Sequence, residues 1–419
     1  MEHKDDEKLC KDLPVLLASF VDTFVDFSVS GGLFLPPPPP PPSPSPNQTT
    51  AVDNLDSHNT ATTSNLPPAA APLQTRLLSP DRLIAIGDLH GDLQKSKQAL
   101  RLAGVIDASD KWTGGTATVV QIGDVLDRGG EELKILYLLE KLKREAAKAG
   151  GNVITMNGNH EIMNVQGDFR YVTQLGLREF ESWAYWYSLG DRMKGLCAGL
   201  QKPKDIYKGI PLTFLGVKPE AFPGIRARIA ALRPNGPIAN KFLSQNATVL
   251  VAGDSVFVHG GLLSKHVEYG LERINEEVRD WISGLTGNFA PEYCRGRNGV
   301  VWLRKFSNKL AKNCDCSALD HVLATIPGVR RMIMGHTIQE AGINGVCDHR
   351  AIRIDVGMSK GCINGLPEVL EITQNSELRV LTSNPRYQED YKSNLVVDKK
   401  DRLGLVIPEN GPKQVEVKA

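Results

Sequence analysis

The chain has 419 residues, 41% of them hydrophobic, which is enough for one large domain or two ordinary ones. Lys and Arg number 49 against 48 for Asp and Glu, a formal net charge of +1. That balance offers no clustered positive charge, so nucleic-acid binding and an anionic-membrane surface are not expected.

The first ten residues, MEHKDDEKLC, are acidic. They resemble neither the basic start of a signal peptide nor an Arg/Ser-rich, acid-poor transit peptide. The rest of segment 1–35 is apolar but carries Asp22 and Asp26, and charge at the centre of a bilayer span is costly. Its spacing suits an amphipathic helix docked on the main domain, and no membrane span is expected. Residues 36–78 read as a linker. The run PPPPPPPSPSP excludes helix and favours an extended spacer, and the Asn/Thr/Ala/Pro-rich stretch after it has little apolar surface to bury. These features predict a soluble intracellular protein, cytosolic or, as the alternative, in the mitochondrial intermembrane space.

Residues 79–390 read as the main domain, with 391–419 as a tail. Short apolar runs at 82–87, 117–123 and 152–157 alternate with helix-like stretches such as EELKILYLLEKLKREAAKAG. In that stretch Leu133, Leu136, Tyr137, Leu139 and Leu142 mark one face, and Gly150 follows as a stop. The alternation predicts a βαβαβ unit with a parallel core sheet, hence an α/β fold. A more helical insert spans about 165–245, after which strand signals resume at 248–258, 330–335, 350–356 and 367–372.

Cys314 and Cys316 form a lone C-x-C, too little for a zinc site. With Cys294, Cys347 and Cys362 they read as reduced thiols, or as a regulatory disulfide in an oxidising compartment. The cysteines and the proline run are where a redox or docking partner would engage.

The chemistry gathers at strand ends, where open α/β sheets place functional residues. LIAIG runs into Asp88 and His90, TVVQIG into Asp124, Asp127 and Arg128, and NVITMNG into Asn159 and His160. SVFV ends in His259 and RRMIMG in His336. One such ending is an ordinary polar cap; five together point to a metal site. Imidazole, carboxylate and amide oxygen suit borderline-hard divalent cations. Asp124 is the natural bridge, with Asp88 and His90 completing a first metal and Asn159, His259 and His336 a second. Water held between two such cations is acidified into a nucleophile for phosphorus. His160 is placed to protonate the leaving oxygen, Asp127 to keep that imidazole charged, and Arg128 to fork phosphate oxygens.

The ordered set GDLHG, GDVLDRG, GNHE, HGG and GHT resembles the phosphoprotein phosphatase family of calcineurin-like metallophosphoesterases and frames roughly residues 80–375. GDFRYV, VVWLR and IDVGMS are similar to the Shewanella-like branch of plants, in its non-chloroplast group. The resemblance implies a four-layer sandwich of two mixed β-sheets flanked by helices, and two divalent cations per chain. Mn²⁺ is expected, with Fe or Zn as alternatives. It also implies phosphoprotein substrates bearing phosphate on Ser/Thr, on Tyr or on both; a nucleoside-polyphosphate phosphatase and a phosphopeptide-binding pseudophosphatase are the alternatives. Asn157 stands where many members have Arg, Leu126 where they have Val, and IDVGMSKGCING replaces the SAPNYC loop that contacts toxin inhibitors, so poor toxin sensitivity is expected. Other arginines must then bind phosphate: Arg304 matches a bacterial-type position, and Arg170 is a further candidate.

Overall fold

The computed structural model describes residues 14–34, 73–196, 205–384 and 404–406. Three parallel strands, β2 (Arg82–Ile86), β3 (Thr118–Gln121) and β4 (Asn152–Thr155), carry the expected βαβαβ unit. β2 and β3 are buried on both faces almost throughout, as parallel strands covered on both sides are, while β4 at the sheet edge alternates, with Val153 and Thr155 buried. Helix α2 (Leu93–Leu102) and helix α3 (Glu132–Lys148) make the crossovers. Asp92 caps α2 by accepting the Lys95 N–H at 3.0 Å. Strands β10 (Glu368–Thr373), β11 (Leu378–Thr382) and β12 (Gly404–Val406) extend this sheet in the order β12-β11-β10-β2-β3-β4.

A second mixed sheet has the order β1-β5-β6-β7-β9-β8, where β1 is Arg76–Leu77, β5 Val249–Ala252, β6 Ser255–Val258, β7 Arg331–Met334, β8 Asn344–Val346 and β9 Ala351–Arg353. One hydrophobic core spans both sheets and the helices on them. An isolated bridge from Met156 to Ala247 links the end of β4 to the entry of β5. The carboxyl ends of β2, β3, β4, β6 and β7 are thereby brought to one rim.

Some boundaries differ from the sequence expectation. The 248–258 run is an antiparallel hairpin, β5 and β6, turning at Gly253 (φ +57°) and Asp254. The linker reading of 36–78 runs too far, because Arg76 and Leu77 pair with β5, and Gly404–Val406 of the tail pair with β11. Both are edge strands of two or three residues, too short to show a period. The proline run lies outside the described residues.

The expected N-terminal helix is α1 (Pro14–Val29). Its Val21 and Val25 lie on Gly190 of helix α5 (Gln174–Gly195), so close that a Cβ on Gly190 would come within 2.6 Å of Val25. Asp26 accepts the Tyr137 hydroxyl at 2.8 Å and pairs with Lys241, and Asp22 pairs with Lys194. The two acids that argue against a membrane span are the ones that dock the helix. No helix among the described residues is long and apolar enough to cross a membrane. The insert supplies α5 together with α6 (Phe222–Leu232) and α7 (Pro237–Lys241), which pack on one another beside the strand ends.

Candidate metal centre

The site grows out of the turns that follow the strands. His90, Asp124, Asp127, Arg128 and His336 all have left-handed backbone, with φ between +44° and +68°. Such conformations cost roughly 1–3 kcal/mol each in non-glycine residues and persist where surrounding structure fixes them. Glu161 does this for the Asp124 turn: its carboxylate accepts the N–H groups of Asp124 (2.8 Å), Val125 (2.9 Å), Leu126 (3.1 Å) and Gly158 (2.7 Å). Gly158 must be glycine there, since a Cβ would sit 2.1 Å from Asp124 Oδ1.

Asp124 is the centre of the cluster. Its Oδ2 lies 3.1 Å from His259 Nε2, 3.7 Å from His90 Nε2 and 3.8 Å from His160 Nε2. Three imidazoles have their tautomers set from behind. His90 Nδ1 donates to the Leu126 carbonyl (2.9 Å) and His259 Nδ1 to that of Ile122 (3.1 Å), which leaves each Nε2 lone pair for the cluster. His336 Nε2 donates to the Trp302 carbonyl at 3.1 Å, so its Nδ1 is the ligating nitrogen. Asn159 Oδ1 lies 3.0 Å from His259 Nε2.

Potential ligand atoms gather in two compact sets that share Asp124: His90 with His160, and His259 with His336. Asp88 belongs to neither set; its carboxylate accepts the His336 N–H at 3.2 Å and interacts electrostatically with that of Asp355. His160, read as the proton donor, shares the first set with His90.

The electrostatics fit a cationic occupant. Burial pushes the Asp88 carboxyl well up, with Asp355 adding to it. Burial also opposes ionisation of Asp124, but His259 and His160 outweigh it and hold its pKa well below the usual range. Burial lowers His90 to about 3. His259 moves the other way: burial opposes its charge, yet Asp124 and Asp88 raise it to about 10. Among the described residues, the imidazoles are the only ion-pair partners of Asp124. A buried carboxylate cluster that calls for positive charge, faced by directed imidazole lone pairs, is a donor set for borderline-hard divalent cations.

His160 faces two ways. Its Nδ1 is 2.6 Å from Asp127 Oδ2, and its Nε2 points into the cluster. Burial lowers its pKa, but Asp124 and Asp127 outweigh that and leave it raised. The Arg128 guanidinium lies 4.8 Å over the Tyr171 ring, and its Nε is buried without a partner. Arg304 Nη1 donates to the His336 carbonyl and to Thr337 Oγ1, both at 2.7 Å. Burial lowers its pKa, and Asp88, Asp355 and Asp124 oppose that. Arg170 is placed differently: it is two-thirds exposed and pairs with Asp168 at 2.7 Å. Asn157, at the position where Arg is common, is buried and donates to the Leu243 carbonyl at 3.0 Å, so it stitches the insert to the strand end.

Several contributors escaped the sequence reading. Asp355 follows β9 just as the ligands follow their strands, and the same strand-end pattern could have found it. Glu161 stands inside a quoted motif. Tyr171 stands inside GDFRYV next to Arg170, whereas Glu132, Asn164 and Arg228 carry no local signal of a place in the site.

This geometry is that of a dinuclear phosphoesterase rim. The calcineurin-like phosphoesterase family profile matches residues 81–340, and the chain belongs to that family, whose members use a dinuclear metal centre. Within it the chain belongs with the Shewanella-like protein phosphatases. It is 63% identical to Shewanella-like protein phosphatase 2 of Arabidopsis thaliana, over 98% of each chain. It is 28% identical to Shewanella-like protein phosphatase 1 of Plasmodium berghei, over 66% of this chain and 67% of that one. A cold-active protein-tyrosine phosphatase from a psychrophilic Shewanella has the same fold, with a TM-score of 0.52 at 19% identity, covering 74% of this chain and 83% of that chain.

Proposed function

We propose that the protein removes phosphate from phosphoserine, phosphothreonine or phosphotyrosine side chains at the Asp124 centre. The observation that carries this reading is convergence on one carboxylate: three imidazoles on Asp124 Oδ2, with the His160–Asp127 pair alongside. The name of the Arabidopsis relative supports protein substrates. Asp88 and His90 would hold one divalent cation, and Asn159, His259 and His336 the other, with Asp124 shared. Mn²⁺ is the expected metal. When bound, the pair supplies an activated water for in-line attack on phosphorus.

The chain's own residues do the rest. Arg128 has an unpaired Nε for a phosphate oxygen, and Arg304 brings a second guanidinium towards the same carboxylates. His160 holds its proton on Nε2 for the departing oxygen while Asp127 stabilises the charged ring. Arg170 is the weakest of the assigned phosphate contacts, since its guanidinium is already on Asp168. The Cys316–Cys347 pairing supports the regulatory-disulfide reading of the cysteines, and the cytosol and the intermembrane space both remain open to it.

The test is phosphate release from matched phosphoserine, phosphothreonine and phosphotyrosine peptides after metal stripping and Mn²⁺ return. Metal-dependent release is expected, and the preferred residue then fixes the substrate class. No release from any of the three with two metals bound would overturn the reading.

A further inference from the structure

Asp127 is held from behind by a side chain of the helical insert. Arg228, on α6, is fully buried between the rings of Phe180 (4.5 Å) and Phe169 (5.8 Å). All three nitrogens of its guanidinium are used. Nη2 donates to Asp127 Oδ1 at 2.9 Å and to Glu132 Oε2 at 2.6 Å, Nη1 to Glu132 Oε1 at 3.0 Å, and Nε to Asn164 Oδ1 at 2.7 Å. Each acceptor touches the Asp127 turn again by a second route. Glu132 Oε2 accepts the Asp127 N–H at 2.9 Å, and the Asn164 amide donates to Asp127 Oδ1 and to the His160 carbonyl, both at 2.9 Å.

We propose that Arg228 is a positioning residue for phosphate transfer: it fixes the carboxylate that aims His160 and the turn that presents Arg128. The inference rests on the phosphatase reading. Asp127 and Arg128 are consecutive residues in left-handed backbone, at φ +68° and +64°, and this turn does not hold itself. A single planar fork that grips the Asp127 side chain and the acceptor of the Asp127 N–H sets both the position and the tilt of the turn. Lysine at 228 would keep the charge but could grip only part of that set. The carboxylate and the imidazole are 2.6 Å apart, so a small rotation of Asp127 moves the proton on His160 away from the departing oxygen. Arg228 meets no metal-ligand candidate, so its loss should leave the metals in place.

The experiment uses the full chain loaded with Mn²⁺ and compares wild type with Arg228→Lys. It reads kcat for phenyl phosphate and for 2,4-dinitrophenyl phosphate, metal content, and tungstate affinity by calorimetry. The phenyl ester, whose leaving group needs a proton, should lose about 10²-fold in kcat. The dinitrophenyl ester should lose far less, tungstate should bind severalfold more weakly through a displaced Arg128, and two metals should remain. Equal losses on both esters, or unchanged kinetics, would overturn the proposal, as would loss of metal in step with activity. Glu132→Gln, nearly isosteric, loosens the same grip and carries the test if Arg228→Lys does not fold; it should give the same leaving-group signature at smaller amplitude. Absence of wild-type turnover on every ester would instead count against the phosphatase reading, and the tungstate comparison would still decide the role of Arg228.

Discussion

The two halves of the site are built differently. On the ligand half, Asp88, His90, Asp124, Asn159, His259 and His336 each follow closely on a strand, and backbone carbonyls orient the three imidazoles. Chain geometry near each residue largely determines its aim. On the acid half, His160 and Asp127 take their aim from Asn164, Glu132 and Arg228, the last of them 101 residues beyond Asp127 on an insert helix. Metal binding should therefore tolerate disturbance of the insert, and proton delivery should not.

The largest effect is expected at the one residue both metals would share. Asp124→Asn removes the central charge, so turnover should fall to background and metal content should drop; near wild-type values of both would refute the site. His160→Asn sits at the seam between the halves. It should keep both metals yet lose about 10²–10⁴-fold in kcat on phenyl phosphate, and much less on a nitrophenyl ester. Equal losses on the two esters would remove His160 as the proton donor. Glu161→Gln touches the ligand half alone, because its amide NH₂ would face two of the four backbone N–H groups that the carboxylate now accepts. Metal affinity should weaken about 10–100-fold in a chelator titration, with the ratio between the two esters unchanged. A changed ratio would mean that the halves are not separable.

The same division explains what could be read from sequence. The parallel strands and the residues ending them were legible because a buried strand is an apolar run and its ligand comes next in the chain. Asp355 is legible by the same rule, but IDVGMS draws notice as a motif of resemblance and as a replaced loop rather than as a strand end. Arg228 was not legible: on paper it is one arginine in RARIAALR, and only the packing of α6 on α5 carries it to Asp127. Edge strands β1 and β12 were missed because two or three residues show no period, and because their neighbours read as linker and tail.

The smallest effect concerns stability and belongs to the acid half. Glu179, on α5, accepts the N–H groups of Leu133 (3.0 Å) and Lys134 (3.1 Å), which ties the insert to the start of α3. Burial, with Glu132 adding to it, raises its pKa from 4.5 to about 8. A carboxyl raised on folding holds its proton in the native state while the unfolded chain has released its own. Its contribution is thus fully present below the unfolded pKa, shrinks as pH rises between about 4.5 and 8, and is gone above that. Denaturant unfolding across this window should show stability falling, with a slope of up to ~1.4 kcal/mol per pH unit from this one group. Glu179→Gln should flatten the slope while leaving turnover at neutral pH close to wild type. A wild-type curve that is already flat, or a variant that keeps the slope, would show that Glu179 does not carry the proton. Because Glu179 touches no metal ligand, the slope should persist whether or not the metals are bound. A slope seen only in metal-free protein would mean that the ligand half reaches further into the insert than the hydrogen bonds indicate.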